Sequence, residues 1–331
     1  MKSGTEWWLL AALSCAAFLS LGLGRYGLTP PEVLGALLPG TGHEDLASHI
    51  VCEIRLPRIL TAVLAGGVLS LAGATLQSVF KNPLVDPHVI GVTSGAAFGG
   101  TLAIVLGLPG LMLIVSTQFF GLLALALVFG LSGLIGRGNR LVVILAGIIL
   151  SGFFAAMVSL LQYLADTEEK LPNIVFWLMG SFATSSWQKF AILAVPGLAG
   201  TALLLGMRWH MNILALGDKE AASLGVSVGR LRWVVLLLCG VLTAAQVAVS
   251  GSIGWIGLVA PHVARILVGN NTVRLLPAAF LVGALSMLLI DDVSRTLTST
   301  EVPIGILTAL MGAPVFGVLL YRNRRSVYVG G

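Results

Sequence analysis

The chain alternates long apolar runs with short charged or Pro/Gly-rich joints. The runs lie near 7–23, 56–80, 89–106, 111–135, 141–165, 190–206, 233–250, 254–268, 276–293 and 303–321. Most approach the roughly 20 residues that a helix needs to cross a ~30 Å hydrocarbon core. They are continuous, so they predict helices rather than the alternating ten-residue strands of a membrane barrel. The third and eighth are short or Gly-rich. Only helices or closed barrels satisfy their backbone in lipid. The expectation is an all-α membrane protein of about ten transmembrane helices, forming a single transmembrane domain over residues 1–331.

Composition agrees. Of 331 residues 57% are hydrophobic and only 10% charged, with a mean hydropathy of +0.98. Soluble domains carry about 25% charge, so a soluble fold is excluded. Cys15, Cys52 and Cys239 lack the spacing of a zinc or CxxC site. Lys2 followed by the run Trp7–Leu23 has the outline of a signal peptide, but no small-x-small cleavage site follows. It reads as the first span.

An even number of spans puts both termini on one side. Thirteen Lys/Arg fall on that side and six on the other, among them Arg55, Arg58 and Arg295. The positive-inside rule then makes the termini cytoplasmic. Acids lean outward, including Asp291, Asp292 and Glu301.

With this orientation Met207–Arg232 becomes the longest cytoplasmic loop. Within it, "DKEAASLG" (Asp218, Lys219, Glu220, Ala221, Ala222, Ser223, Leu224, Gly225) predicts a short helix. Asp218 can cap it, the alanines favour it and Gly225 can end it, with a second turn from Val228 to Arg232. So short a helix is unstable alone. It needs the membrane surface or a partner to pack against.

Two four-residue runs recur half a chain apart. Gly67–Ser70 is followed by Pro87–Val89, and Gly240–Thr243 by Pro261–Val263. The copies start on spans of opposite direction, which is the arrangement of an inverted repeat.

Signals of covalent chemistry are thin. There is no P-loop and no HExxH, and the five histidines are dispersed. His88 and His262 each follow a proline, as ligands or as polar caps. Arg55 and Arg58, three apart, share a helix face at an outer span end, and Arg295 follows "IDD". Such cations either snorkel to the interface or meet an acidic partner or anionic solute. No charge falls in the middle of a span, so the coupling carboxylate of a secondary carrier is missing. An intramembrane enzyme would need paired catalytic groups at one depth, and these are missing too. An outside energy source fits better.

The run "RLPRILTAVLAGGVLSLAGATLQSVFKNPLVDPHVIGVTSGAAFG" resembles the signature of the FecCD-type permeases, and so do "FWLMGSF", "GSIGWIGLVAPHVARILVG" and "EVPIGILTALMGAPVFGVLL". These are membrane subunits of ABC importers for iron–siderophore complexes, haem and cobalamin. The resemblance implies type II ABC importer permease architecture, with two copies side by side and a pathway between them. It implies two cytoplasmic ATPase chains that hold ATP and Mg, and an extracytoplasmic binding protein that delivers the ligand. No cofactor is expected in this chain, and neither nucleic acid nor covalent chemistry has a place in it. The setting is the bacterial inner membrane and the action is ATP-driven alternating access. A bulky iron or haem chelate is the first expected cargo, cobalamin the next, and an oxyanion such as molybdate a minor one.

The resemblance also assigns roles. Asp218–Gly225 becomes the ATPase coupling loop. Arg55, Arg58 and Arg295 match positions that face acidic residues on the binding protein. Asn82, Pro83 and Leu84 match a cytoplasmic gate, and the Gly138–Arg140 turn lies where another is expected, with residues that differ from the family's. The fifth helix is expected to line the pathway with Ser151, Ser159, Gln162 and Tyr163.

Overall fold

The structure, a computed structural model, describes residues 4–24, 26–38, 46–136 and 140–322. Arg25, Glu44, Asp45, Arg137, Arg324 and Arg325 lie outside the described residues, as do Gly138 and Asn139 of the second expected gate turn. Among the described residues the secondary structure is helical: α1 (Thr5–Gly22), α2 (Pro30–Leu37), α3 (Leu46–His49), α4 (Leu56–Phe80), α5 (Val92–Val105), α6 (Gly110–Ile135), α7 (Arg140–Leu164), α8 (Lys170–Leu178), α9 (Trp187–Gly206), α10 (Arg208–Leu216), α11 (Asp218–Ser223), α12 (Val228–Ser250), α13 (Ile256–Val268), α14 (Thr272–Thr296) and α15 (Ile304–Arg322).

Each of the ten expected runs is a helix, but they are not equal. Among the described residues, seven helices are long and apolar enough to cross a membrane, while Val92–Val105, Ile256–Val268 and Ile304–Leu319 are shorter apolar helices. For α5 and α13 the reason is visible. After α4 the chain turns at Lys81, in the left-handed region at φ 52°, and runs back into the bundle. Gly91 then lies against Gly147 and Ser151, well inside α7, before α5 begins. Gly254 comes within 3.9 Å of the His88 ring, measured from the place its β-carbon would take, just before α13 begins. Both helices therefore start within the protein, where irregular backbone can be satisfied by neighbours.

The centre of the bundle is α4, with 89% of its most apolar window buried, against 11% for α1 at the periphery. Small residues let its neighbours approach. A β-carbon on Gly66 would stand 2.3 Å from the Gly283 carbonyl oxygen of α14, and Ser70 Oγ donates to Ala279 O at 2.6 Å. On the other side of the bundle α5 and α6 close in the same way, with Ser116 Oγ donating to Gly99 O at 2.7 Å.

The packing has a two-part pattern. α4 packs on α13 and α14, whereas α12 packs on α5 and α6; α5 packs on α6 and α7, as α13 packs on α14 and α15. The recurring PHV triplets do not follow it. Pro87–Val89 forms a 3-10 turn ahead of α5, whereas Pro261–Val263 lies inside α13.

Several elements differ from expectation. Val228–Arg232 is the start of α12, five residues earlier than its apolar run. The joint between the first two runs contains α2 and α3, the latter continuing through a π-helical turn, Ile50–Arg55, into α4 just before Pro57. Proline lacks the amide that would close the normal ladder there, and a π turn accommodates the gap. α2 starts on a capping box: Thr29 N and Oγ1 both donate to Glu32 Oε2 at 2.7 Å, and prolines fill the first helical positions.

Candidate functional sites at the two ends of the bundle

At one end the chain folds α10 and α11 onto the ends of α4, α12 and α14. α10 is fastened by Thr272, whose Oγ1 donates to Arg208 O at 2.8 Å, and by the burial of Met211 and Leu214. α11 is a single six-residue helix. Ala221 is its one buried residue, while Lys219, Glu220, Ala222, Ser223, Leu224 and Gly225 are exposed. Gly225 ends it at φ +82°, its amide donating to Ala222 O at 3.0 Å. Asp218 is not a cap. Its carboxylate instead receives both contacts from Arg232 Nη2, at 2.7 Å, which ties the start of α11 to α12. The result is a helix held rigidly by one side and open on the other. Leu224 (61% exposed) and Trp209 (62%) border a groove of about 440 Å³ between α10 and α12.

At the same end lies the segment after α4. Asn82 Oδ1 accepts from Leu84 N at 2.9 Å, which bends the chain into a side-chain-stabilised turn with Pro83 and Leu84 exposed. Asp86 then caps the 3-10 turn by accepting from His88 N, and its carboxylate lies 3.1 Å from His88 Nδ1. Burial disfavours the His88 imidazolium, but Asp86 outweighs it and raises His88 above the ordinary histidine value. Burial likewise raises Asp86, and the His88 charge and hydrogen bonds overcome it and hold the carboxyl below its usual range. His88 is thus a capped, paired histidine. His262 Nδ1 lies 2.8 Å from its own helix carbonyl at Leu258. No group of His, Cys, Asp and Glu among the described residues is arranged to hold a metal.

The four side chains expected along the pathway are split. On α7, Tyr163 is 86% exposed and Ser159 exposed, with Gln162 half-buried. Ser151 Oγ is buried, lying toward Gly91 rather than on the open face. The open face is otherwise apolar, with Leu141, Leu145, Ile148 and Phe153 exposed along it.

The opposite end holds the three arginines, which turn inward instead of standing open to water. Arg55, Arg58 and Arg295 are 5%, 7% and 6% exposed. Arg58 grips Asp291 through Nε (2.9 Å) and Nη2 (2.8 Å), and Glu301 through Nη1 (2.8 Å) and Nη2 (3.0 Å). Arg295 pairs with Asp292 on its own helix and donates to Ser20 O and Ser20 Oγ, both at 2.6 Å, and to Leu23 O at 2.9 Å. Arg55 donates to the carbonyls of Leu21 and Tyr26. Two of the arginines therefore satisfy the orphan carbonyls at the end of α1, where positive charge is also favoured by the helix dipole. The third bolts α4 to α14 and to the α14–α15 turn. A guanidinium withdrawn from water must be paired, so these groups turn inward. Sequence reasoning missed Ser20, Asp291, Asp292 and Glu301 as their partners. The signal was present: the acids stand with the arginines at the same span ends.

Comparison with known proteins places this geometry. The chain is 53% identical over 321 residues to the molybdate import system permease protein MolB of Haemophilus influenzae, covering 96% of this chain and 95% of that one. It is 38% identical to the hemin transport system permease protein HmuU of Yersinia pestis, covering 92% and 93%. Among solved structures, a metal-chelate type ABC transporter in an inward-facing conformation matches with a TM-score of 0.88 at 52% identity, over 96% of this chain and 98% of that one. The FecCD transport family model matches residues 12–322, and with it the chain belongs to the FecCD transport family, as a multi-pass permease subunit of an ABC transporter.

Proposed function

We propose that this permease carries a tetrahedral oxyanion of the molybdate type into the cytoplasm, working in a binding-protein-dependent importer. The observation that carries the cargo is the 53% identity to MolB along nearly the whole of both chains, against 38% to the haem permease. An iron or haem chelate is the second reading, supported by the 52% identical metal-chelate type transporter.

In this reading two copies stand side by side with the α7 faces lining a pathway of about ten spans per copy, and the termini are cytoplasmic in a bacterial inner membrane. α11 is the coupling helix. Its buried Ala221 transmits force into the bundle, and its exposed Glu220, Ala222 and Leu224 meet one of two ATPase chains, which hold ATP and Mg. The Asn82–Pro83–Leu84 turn narrows the cytoplasmic exit. Acidic groups of an extracytoplasmic binding protein reach the Arg55–Arg58–Arg295 cluster at the other end. The permease itself binds, gates and moves, while hydrolysis occurs in the partner chains.

The test is uptake into proteoliposomes that contain the permease, its ATPase and binding protein, with labelled molybdate, haem and a ferric siderophore offered separately. ATP-dependent molybdate uptake alone is the expected result. Uptake of a chelate but not molybdate establishes the second reading, and uptake without ATP overturns the importer altogether.

A further inference from the structure

The cluster balances in charge among the described residues: it holds three guanidinium groups, Arg55, Arg58 and Arg295, and three carboxylates, with Asp291 and Glu301 on Arg58, Asp292 on Arg295, and Arg55 held by the Leu21 and Tyr26 carbonyls. The carboxylates are not equivalent. Asp291 and Asp292 are built into α14, with side chains 0% and 12% exposed. Glu301 stands on the irregular stretch between α14 and α15, with its side chain 24% exposed, beside the exposed residues Leu297 to Thr300. Its neighbour Val302 is pinned at both backbone groups: its amide donates to Ser294 O at 3.1 Å, and Ser294 Oγ donates to its carbonyl at 2.6 Å. The Glu301 side chain can therefore swing out to water about a fixed point, whereas Asp291 is enclosed within α14 with its side chain 0% exposed.

From this we infer that Glu301 is an internal competitor for the binding protein's acidic group. It holds Arg58 while the permease is undocked and is displaced when a partner carboxylate arrives. The inference rests on the docking proposed above and adds how that docking is regulated. Exchange rather than addition follows from charge: a fourth carboxylate beside three buried arginines would leave a net negative charge out of water, which is strongly disfavoured. Expelling Glu301 to solvent restores the balance. It also breaks the link between Arg58 of α4 and the turn that enters α15, so docking loosens one specific joint.

The experiment uses the full transporter complex in nanodiscs and the purified substrate-binding protein of the same importer. The dissociation constant is measured for the wild type and for Glu301→Gln, with thiol labelling of Ile304→Cys, buried at the start of α15, as a second readout on a chain that keeps Glu301. Removing the competitor should tighten binding about fivefold, the size of a partly exposed ion pair, and docking should speed labelling at position 304. An unchanged or weaker dissociation constant, or labelling indifferent to docking, overturns the competitor while leaving the importer reading intact. If the wild type does not bind the protein at all, the docking reading falls and the competitor with it.

Discussion

Gly73 of α4 and Gly257 of α13 meet backbone to backbone. A β-carbon on Gly73 would stand 1.8 Å from the Gly257 carbonyl oxygen and 2.7 Å from its carbonyl carbon. No side chain can yield at this contact, because both surfaces are main chain. It is also where α13 begins inside the bundle, next to Pro87 of the returning segment.

Gly73→Ala should therefore force α4 and α13 apart. Overpacking in a tight interior typically costs about 1–3 kcal/mol, and the rigid partner puts this site at the upper end. Thermal unfolding of the purified permease in detergent checks it, with Gly130→Ala, whose β-carbon would meet nothing within 4 Å, as the control. Equal melting temperatures for the two variants would show that the helices can separate freely.

Arg58→Ala leaves Asp291 fully buried without its guanidinium. Breaking a buried pair on one side costs about 3–5 kcal/mol, far more than a surface ion pair. The double variant Arg58→Met with Asp291→Leu should recover much of that loss, because it removes both charges together. A double-mutant cycle on denaturation midpoints measures the coupling; additive losses would mean that the two residues do not act as a pair.

On α11, neighbouring alanines should behave oppositely. Ala222 is exposed, so Glu220→Arg plus Ala222→Arg should leave the fold intact and abolish co-purification of the ATPase. Ala221 is 0% exposed, so Ala221→Arg should reduce folded yield itself. Size-exclusion profiles together with the ATPase content of the peak separate these outcomes. An ATPase that stays bound to the double variant removes α11 from the contact.

The Asp86–His88 pair should make stability depend on pH. His88 lies above its ordinary value of 6.5, so its contribution is complete below about that pH and fades as pH rises through the higher folded value. Asp86 lies below its ordinary 3.8, so its contribution is complete above that and fades only in stronger acid. Between these limits both are present. The stability difference between wild type and His88→Gln should thus be larger at pH 5.5 than at pH 8.5. A difference that does not change over that range would mean the pair carries no net linkage.

Much of the architecture was legible because lipid imposes a simple rule: a run of about 20 apolar residues must be a helix. The ten runs, the short third and eighth, the α11 helix and its Gly225 stop all follow from local pattern. So does membership of the family, because its motifs are long and contiguous in sequence. That the expected turn at Val228–Arg232 is the start of α12 was hidden, since Arg230 and Arg232 separate it from the apolar run until Asp218 supplies a partner for the second.

What the tertiary structure alone decided is where charge points. Arg58 and Asp291 are 233 positions apart, Ser20 and Asp292 are 272 apart, and no periodicity links such pairs. Whether an arginine at a span end faces water or turns inward depends on whether another helix brings a carboxylate or an open carbonyl within about 3 Å. Ser151 shows the same limit: its place on α7 follows from sequence, but the direction of its hydroxyl follows from the return of Gly91 into the bundle. Local chemistry determines elements, whereas the pairing of buried polar groups is a property of contacts between them.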